Sequence, residues 1–347
     1  MQEQLFRNKI TRVSFVLMIF VVSIHTYNVD VYKLNGNTDA LGGFVRILEY
    51  YIRFLERACV PFFFMISGYL FFRNYSPDKL IIKYKSRMKT ILVPYLIWCT
   101  VYYLYYVCLT RIPWLKSRMN RPVVEFSNFE WLKWLWTEQY YTLWFMKDLI
   151  ILILFTPLIY FILKQDDRKG CFKYVGVLVI ILTYLEKSGM LFGFYNPLDF
   201  HYLVGAYIGI NCRELPLMHN RKVTHVSLIM IVLLMIYGAW CVRYGIEWGL
   251  LTILLFCICV WFGSNIFGYD GESQWWMQIT FFCYCMHDLV LEALEKIFLV
   301  IFGNGSLFAL IDYLCMPFIT IIICTFTAYI LKRYMPRIWS VLTGDRG

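Results

Sequence analysis

One histidine, His25, follows a run of mainly apolar residues at 13–24 and lies about 15 residues into the first long hydrophobic stretch. An imidazole in such surroundings needs polar partners, because a buried polar group without hydrogen bonds costs free energy. Histidine also suits proton transfer near neutral pH, and such transfer contributes about 10² to 10⁴-fold to a rate. The residue type alone leaves both explanations open, a satisfied core histidine or a proton-transfer residue.

Other ionisable residues also lie within or at the ends of apolar stretches. Charged groups are costly inside a bilayer and usually face a cavity, so they are candidates for function. If successive stretches cross the membrane in alternating directions, most of these residues fall in its outer half, which predicts a polar cavity open to that side. The residues are Glu56, Arg57, Lys147, Asp148, Asp199, His201, Glu247, His287 and Asp288.

Each of these groups has a structural explanation as well. Glu49, Arg53, Glu56 and Arg57 share one helix face by their spacing and can pair with one another. The adjacent residues Lys147-Asp148 can form an ion pair of their own. The sequence does not decide between pairing and function.

Familiar motifs of soluble catalysts are missing from the sequence. No GxSxG, HExxH, P-loop or Rossmann glycine pattern is present. The chain has 12 cysteines and no CxxC pair, so we interpret them as small buried hydrophobic residues rather than metal ligands or disulfides. We expect no metal and no bound cofactor. Gly205 and Gly209 form a GxxxG pair, which indicates close helix packing.

The composition places these residues in a membrane protein. Of 347 residues, 60% are hydrophobic and 16% charged, against about 45–50% and 25% in an average soluble domain. We predict an all-α polytopic bundle of about ten transmembrane helices, in a single domain over 1–347 with no appended soluble domain. The predicted spans are 10–29, 53–72, 90–109, 143–163, 171–187, 197–212, 223–243, 247–267, 275–298 and 307–331.

Basic residues orient this bundle. Of the 33 Lys and Arg residues, twenty lie at the predicted cytoplasmic side, when Arg12 and Lys173 at the inner ends of the first and fifth spans are counted with the two terminal segments and the connections after the second, fourth and sixth spans. By the positive-inside rule both termini are cytoplasmic. Basic residues between apolar runs do not form a phosphate-tracking groove, so we expect no nucleic-acid partner. The first apolar stretch resembles a signal peptide, but residues 27–30 offer no small-residue cleavage site, so we predict a retained span.

One predicted outer segment, 110–142, carries an aromatic cluster. Its spacing indicates an amphipathic helix in the membrane interface, and stacked aromatic rings also suit sugar faces, so a substrate-gripping surface is the alternative. The aromatic residues are Phe126, Phe129, Trp131, Trp134 and Trp136.

Six segments, in order along the chain, match one known family. They are VVSIHT at 21–26, RACVPFFFMISGY at 57–69, KSR at 85–87 with VPYLIW at 93–98, LWFMKDL at 143–149, FCYCMHD at 282–288 and LTGDR at 342–346. With these segments the chain resembles the bacterial acyltransferase 3 family of integral membrane acyltransferases.

The resemblance implies transfer of an acyl group, often acetyl, from cytoplasmic acyl-CoA to a hydroxyl of a cell-surface or exported glycan. It implies that the protein lies in the bacterial inner membrane, with acyl-CoA, a carbohydrate acceptor and the lipid bilayer as partners. It also implies that His25 is the catalytic residue and that Arg57 and Arg87 match basic positions serving the CoA phosphates or the polar cavity.

The sequence departs from the family at one position. Many members carry arginine eleven residues before the histidine, where this chain has Ser14. Eleven residues bring two side chains within about 20° on one helix face, whereas Arg12 lies about 140° away. Arg12 is therefore not an automatic substitute.

For the donor, we expect acyl-CoA to enter from the cytoplasm with its phosphates at Arg87, Lys85 and Lys89. His25 would deprotonate the acceptor hydroxyl, and Arg57 or Ser67 would stabilise the oxyanion or bind the donor. An acyl-histidine intermediate stays open as an alternative. Secondary candidates for the site are Lys147, Asp148, His287 and Asp288.

A transporter is the alternative function. Broken helices and buried charges also describe ion-coupled carriers, although the two halves of this sequence share no internal repeat. A purely structural membrane subunit would leave His25 and the other membrane-embedded charges unexplained.

Overall fold

The computed structural model describes residues 2–26, 32, 39–112, 127–136, 142–165, 174–187, 198–268, 271–303 and 305–345. Within these ranges no strand occurs and every regular element is a helix, which confirms the predicted all-α class. The α-helices are α1 Gln2–His25, α2 Ala40–Glu56, α3 Cys59–Phe72, α4 Leu80–Arg87, α5 Val93–Arg111, α6 Asn128–Trp136, α7 Trp144–Leu154, α8 Thr156–Leu163, α9 Val175–Lys187, α10 Leu198–Asn211, α11 Arg221–Tyr244, α12 Leu250–Gly263, α13 Thr280–Phe302, α14 Ser306–Tyr334 and α15 Pro336–Thr343.

Helices occupy most of each predicted span, but two of the spans are broken. The second divides where α2 ends at Glu56 and α3 begins at Cys59. The fourth divides at Phe155, and α7 and α8 are bent by 66° there. Pro157 lies in the first turn of α8, where proline lacks a backbone donor and disfavours a helical residue before it.

Among the described residues, four helical segments are long and apolar enough to cross a membrane, and the bent pair α7–α8 makes a fifth candidate. The four are Pro77–Arg111, Arg221–Tyr244, Leu250–Phe267 and Ser306–Tyr334. Large apolar side chains on α11 face outward, among them Ile229, Leu233 and Ile236. This surface fits contact with lipid and a multi-pass membrane protein, while the count of ten crossings stays a prediction.

Three glycines hold α3 and α10 in direct backbone contact. A Cβ atom added at Gly68, Gly205 or Gly209 would lie less than 3.0 Å from a backbone carbonyl oxygen of the opposite helix. Only residues without a side chain allow this approach. The close packing predicted from the GxxxG pair is therefore confirmed, with Gly68 as its counterpart on α3.

The aromatic helix predicted in the outer segment is α6. Trp134 is buried and its ring centroid lies 5.7 Å from that of Tyr103 on α5. The Trp131 indole donates a hydrogen bond of 3.1 Å to the Thr100 hydroxyl, also on α5. Tryptophan side chains thus fasten α6 to α5. Phe126 and the Trp136 side chain lie outside the described residues.

Cysteine side chains in the described ranges are free thiols, and most of them are buried. Cys99, Cys257, Cys283 and Cys324 are among the buried ones, as predicted, whereas Cys108 is exposed on α5. The buried thiols act as small packing residues.

Candidate active site

A cavity of about 680 Å³ lies along one face of α1. The α1 residues that line it recur every three or four positions, from the first turn to the last residue of the helix. They are Gln4, Arg7, Asn8, Ile10, Thr11, Ser14, Met18, Val21 and His25. At 1.5 Å per residue, Arg7 and His25 are about 27 Å apart along the helix axis. The cavity is therefore a long cleft that follows nearly the whole of α1, whereas the sequence predicts only a polar cavity open to the outer side.

Chemical character changes along this cleft. Polar side chains gather near the first turns of α1, with Arg7 and Asn8 on the lining. Met18 and Val21 make the middle apolar, and His25 lies at the far end. The remaining walls come from α3, α7 and α13, since Phe63, Ile66, Leu70, Phe145, Met146, Leu149, Phe281 and Tyr284 also line the cleft.

Two histidines meet at the far end of the cleft. The ring centroids of His25 and His287 are 5.1 Å apart, and the rings are tilted by 51°. Both side chains line the cleft, His287 from the first half of α13. The secondary candidate His287 thus lies beside the principal candidate His25, which the sequence separates by more than 260 positions.

Backbone carbonyls fix the orientation of the His287 ring. Its Nδ1 lies 2.8 Å from the carbonyl oxygen of Tyr284 and 3.1 Å from that of Cys283. A carbonyl can only accept, so Nδ1 carries the hydrogen and Nε2 holds a lone pair. The Tyr284 hydroxyl in turn donates a 2.5 Å hydrogen bond to the carbonyl of Thr142, another residue of the lining.

At the opposite end, the arginines of the lining are Arg7 and Arg87. The Arg87 guanidinium lies 5.5 Å from the centroid of the Phe71 ring, which is also on the cleft wall. Tyr202 of α10 lines the cleft too; its hydroxyl is buried and has no hydrogen-bond partner among the described residues. This end can accept an anionic group with charge-assisted hydrogen bonds.

Ser67 lies on the arginine side of the cleft. The Phe6 and Tyr69 rings contact each other at 5.7 Å, and Glu3 pairs with Arg73, so α1 and α3 run antiparallel with Tyr69 near the level of Phe6. In this register Ser67 lies about 20–25 Å from His25 along the axis. At this distance its hydroxyl does not contact an oxyanion that forms beside His25, contrary to one of the two roles expected from the sequence.

The remaining candidate residues do not reach the cleft wall. Arg57 pairs with Glu247 at 2.7 Å, and both side chains are largely exposed. Lys85 is exposed, and Lys89 forms an ion pair with Asp345. Lys147, Asp148 and Asp288 are absent from the lining, although their neighbours in sequence line it. Glu56 and His201 are also absent from the lining, and the Asp199 side chain lies outside the described residues.

Arg12 does not replace the family arginine missing at Ser14. Its guanidinium donates hydrogen bonds of 2.8 Å to the Gly268 carbonyl and 3.3 Å to the Phe267 carbonyl, after α12. Ser14 itself lines the cleft. Arg12 therefore ties α1 to the following connection and is turned away from the site.

Helix α15 supports the arginine end from the cytoplasmic side predicted by the sequence. The Trp98 indole donates a 3.1 Å hydrogen bond to the Leu342 carbonyl. Lys89 and the Ser340 hydroxyl hold the pKa of Asp345 below its usual value of 3.8. Gly344 has φ +62° and packs against the backbone of Thr90, so α15 braces the turn that follows Arg87.

Sequence reasoning missed the polar residues of α1 that share the cleft. Gln4, Arg7, Asn8 and Thr11 are not among the site residues predicted from the sequence, which counts Arg7 only as a basic residue that orients the bundle. Their three- and four-residue spacing, continued to His25, is a signal that one helix face is polar along its inner half. Tyr202 carries no comparable signal, because a tyrosine in an apolar helix is indistinguishable by sequence from a packing residue.

Comparison with known proteins supports an enzyme. A sequence model of the family described as "Acyltransferase domain" (Acyl_transf_3) matches residues 13–332. The chain is 24% identical over 322 residues to the "Succinoglycan biosynthesis protein ExoH" of Rhizobium meliloti, which covers 84% of this chain and 80% of that protein. No solved structure matches. The family match spans most of the chain and replaces the transporter alternative: this protein belongs to the acyltransferase 3 family and is an acyltransferase.

Proposed function

We propose that the protein is an O-acyltransferase of the bacterial inner membrane, which moves an acyl group, acetyl in the simplest case, from cytoplasmic acyl-CoA to a hydroxyl of an exported or cell-surface glycan. The observation that carries the proposal is one continuous cleft with arginines at one end and two histidines at the other. The relative in Rhizobium meliloti is named for succinoglycan biosynthesis, which supports a polysaccharide acceptor.

The two ends of the cleft match the two ends of acyl-CoA. CoA carries its phosphates at one end and the thioester at the tip of a long, flexible arm. Arg7 and Arg87 offer charge-assisted hydrogen bonds to the phosphates. The apolar middle at Met18 and Val21 accommodates the arm, and the roughly 27 Å between Arg7 and His25 leaves room for an extended chain.

His25 then acts as the general base. It takes the proton of the acceptor hydroxyl, whose oxygen attacks the thioester carbonyl; the carbon–sulfur bond breaks and the thiol leaves with a proton. In this proposal the acyl arm of the donor reaches His25 from the cytoplasm along the cleft, and the acceptor approaches from the outer side. Ten membrane crossings and cytoplasmic termini belong to the same proposal, because they place the arginine end in the cytoplasm.

Glycan mass spectrometry tests the function in cells. Cells carrying the wild type, a deletion and the His25→Ala variant are compared, with membrane levels of each protein checked. His225→Ala is the matched control, because His225 is exposed on α11 and is absent from the cleft lining. We expect an acyl-sized mass in the wild type and the control, and its loss in the deletion and His25→Ala.

Either of two results would contradict the proposal. An unchanged glycan in the deletion strain would refute a glycan acceptor. Full modification by His25→Ala would refute the role of His25. Purified wild type in lipid nanodiscs should also release thiol from acetyl-CoA only when glycan is added.

A further inference from the structure

The Nε2 atom of His287 is a buried acceptor. Its ring is fully buried, and Nδ1 is engaged by two carbonyls of the preceding turn of α13. Nε2 lies across the ring from Nδ1 and so faces away from the backbone of α13. It has no hydrogen-bond partner among the described residues. A buried acceptor without a donor costs free energy. A residue that served only to fill space would not need to carry such an acceptor.

The ring of His25 lies beside that of His287 in the cleft. The 5.1 Å between the ring centroids is close to one N–H···N hydrogen bond of about 2.9 Å plus slightly more than 1 Å from each ring centre to its nitrogen. His25 is the last residue of α1 and is partly exposed, and its ring also lines the cleft. The His287 ring is held in place by the carbonyls of Cys283 and Tyr284. In the proposed arrangement, a ring nitrogen of His25 points at Nε2 of His287.

We propose that His287 is a positioning residue, whose Nε2 accepts the N–H of His25 and takes a share of that proton while the other ring nitrogen of His25 receives the proton of the acceptor hydroxyl. The inference rests on the proposed function and deepens it. The device works like the third member of a hydrolase triad, which holds the basic histidine in its productive tautomer. Here a neutral imidazole takes the place of a carboxylate, which avoids a permanent charge inside the membrane.

Protons balance in this scheme. As the hydroxyl oxygen attacks the thioester carbonyl, its proton passes to one ring nitrogen of His25, and the proton on the other nitrogen moves toward Nε2 of His287. The carbon–oxygen bond forms, the carbon–sulfur bond breaks, and the thiolate recovers a proton from His25. Both histidines end the cycle neutral.

His287→Asn is the decisive variant. The asparagine amide can still donate to the Tyr284 carbonyl but offers no basic nitrogen. We expect kcat for thiol release to fall about 10²-fold or more, with the KM for acetyl-CoA within about twofold of wild type. The double variant with His25→Ala should be no slower than His25→Ala alone, because residues that act as a unit are not additive. His225→Asn is the control for an exposed histidine.

Three results would overturn the inference. These are a kcat of His287→Asn within about twofold of wild type, a change confined to KM, or an effect that adds to that of His25→Ala. A purely structural role would give the second or third result.

Wild-type protein provides a second test that does not depend on the folding of a variant. The rate of thiol release is measured in mixtures of light and heavy water. Two protons in motion give a curved dependence on the deuterium fraction, as we expect, and a straight line means one proton and refutes the inference. Failure of the proposed function itself looks different, because the wild type would then release no thiol with any glycan.

Discussion

The contact between α3 and α10 leads to a quantitative prediction for Gly205→Ala. The added Cβ would lie less than 3.0 Å from the carbonyl carbon and oxygen of Met65. These are backbone atoms that no side-chain rotation can move, so the helices must separate by roughly 1 Å, which forfeits a quarter to a half of the dispersion energy at the contact. Overpacking costs about 1–3 kcal/mol, and three backbone atoms close to the Cβ favour the upper end.

Helix propensity partly offsets this cost, because alanine is better than glycine in a helix by about 1 kcal/mol. The expected net loss in the free energy of unfolding is therefore about 2 kcal/mol. Gly43→Ala is the matched control: Gly43 is inside α2, and its added Cβ would meet only the end of the Arg46 side chain, at 3.9 Å. It should gain about 0.5–1 kcal/mol.

Thermal unfolding of both variants in the same nanodiscs measures this difference. We expect Gly205→Ala to unfold below wild type and Gly43→Ala at or above it. Because α3 carries Ser67 into the cleft, Gly205→Ala should also release thiol more slowly at the same temperature. A Gly205→Ala protein as stable as Gly43→Ala would refute the argument that backbone contact joins the two helices.

Three further predictions concern the arginine end of the cleft. Arg87→Gln should raise the KM for acetyl-CoA about 10 to 100-fold with little change in kcat, since a hydrogen bond to a charged group contributes about 1.5–3 kcal/mol; Arg221→Gln, an exposed arginine on α11, is the control for steady-state kinetics. Ser67→Ala should raise the KM for acetyl-CoA at most about tenfold and leave kcat unchanged. A large fall in kcat would instead show that Ser67 stabilises the oxyanion. Pairing with Lys89 lowers the pKa of Asp345 from 3.8, so this ion pair stabilises the fold above that pH and is lost as the pH falls through the lowered pKa. The unfolding temperatures of wild type and Asp345→Asn should therefore differ at neutral pH and converge in strong acid.

Much of the helical architecture is predictable from sequence because hydrophobic length is a local property. Each predicted span coincides with helix in the described residues, since a run of apolar residues of that length favours helix whatever its neighbours. The sequence does not predict the breaks before Cys59 and at Phe155, because both lie inside predicted spans and depend on how the chain packs. Helix α15 was seen only as a family segment, and its role as a brace required the contact with Trp98.

For the site, sequence determined which groups are chemically unusual. His25 and His287 stand out because ionisable side chains are rare in apolar helices, and that rarity is visible without coordinates. Arg87 stands out only as one of several basic residues between two predicted spans. Sequence also determined the family, through short segments spread over the whole chain. It could not tell that Arg87 lines the cleft and Arg57 does not, since both arginines are followed by apolar runs.

Tertiary structure alone decided which of these groups share one space. It paired Arg57 with Glu247, put Arg87 and Tyr202 on the cleft wall, and brought His287 to within 5.1 Å of His25 between ring centroids. The physical reason is that the direction of a side chain depends on the rotation and register of whole helices. Those are set by long-range packing, such as the glycine contact of α3 with α10, which no local pattern specifies.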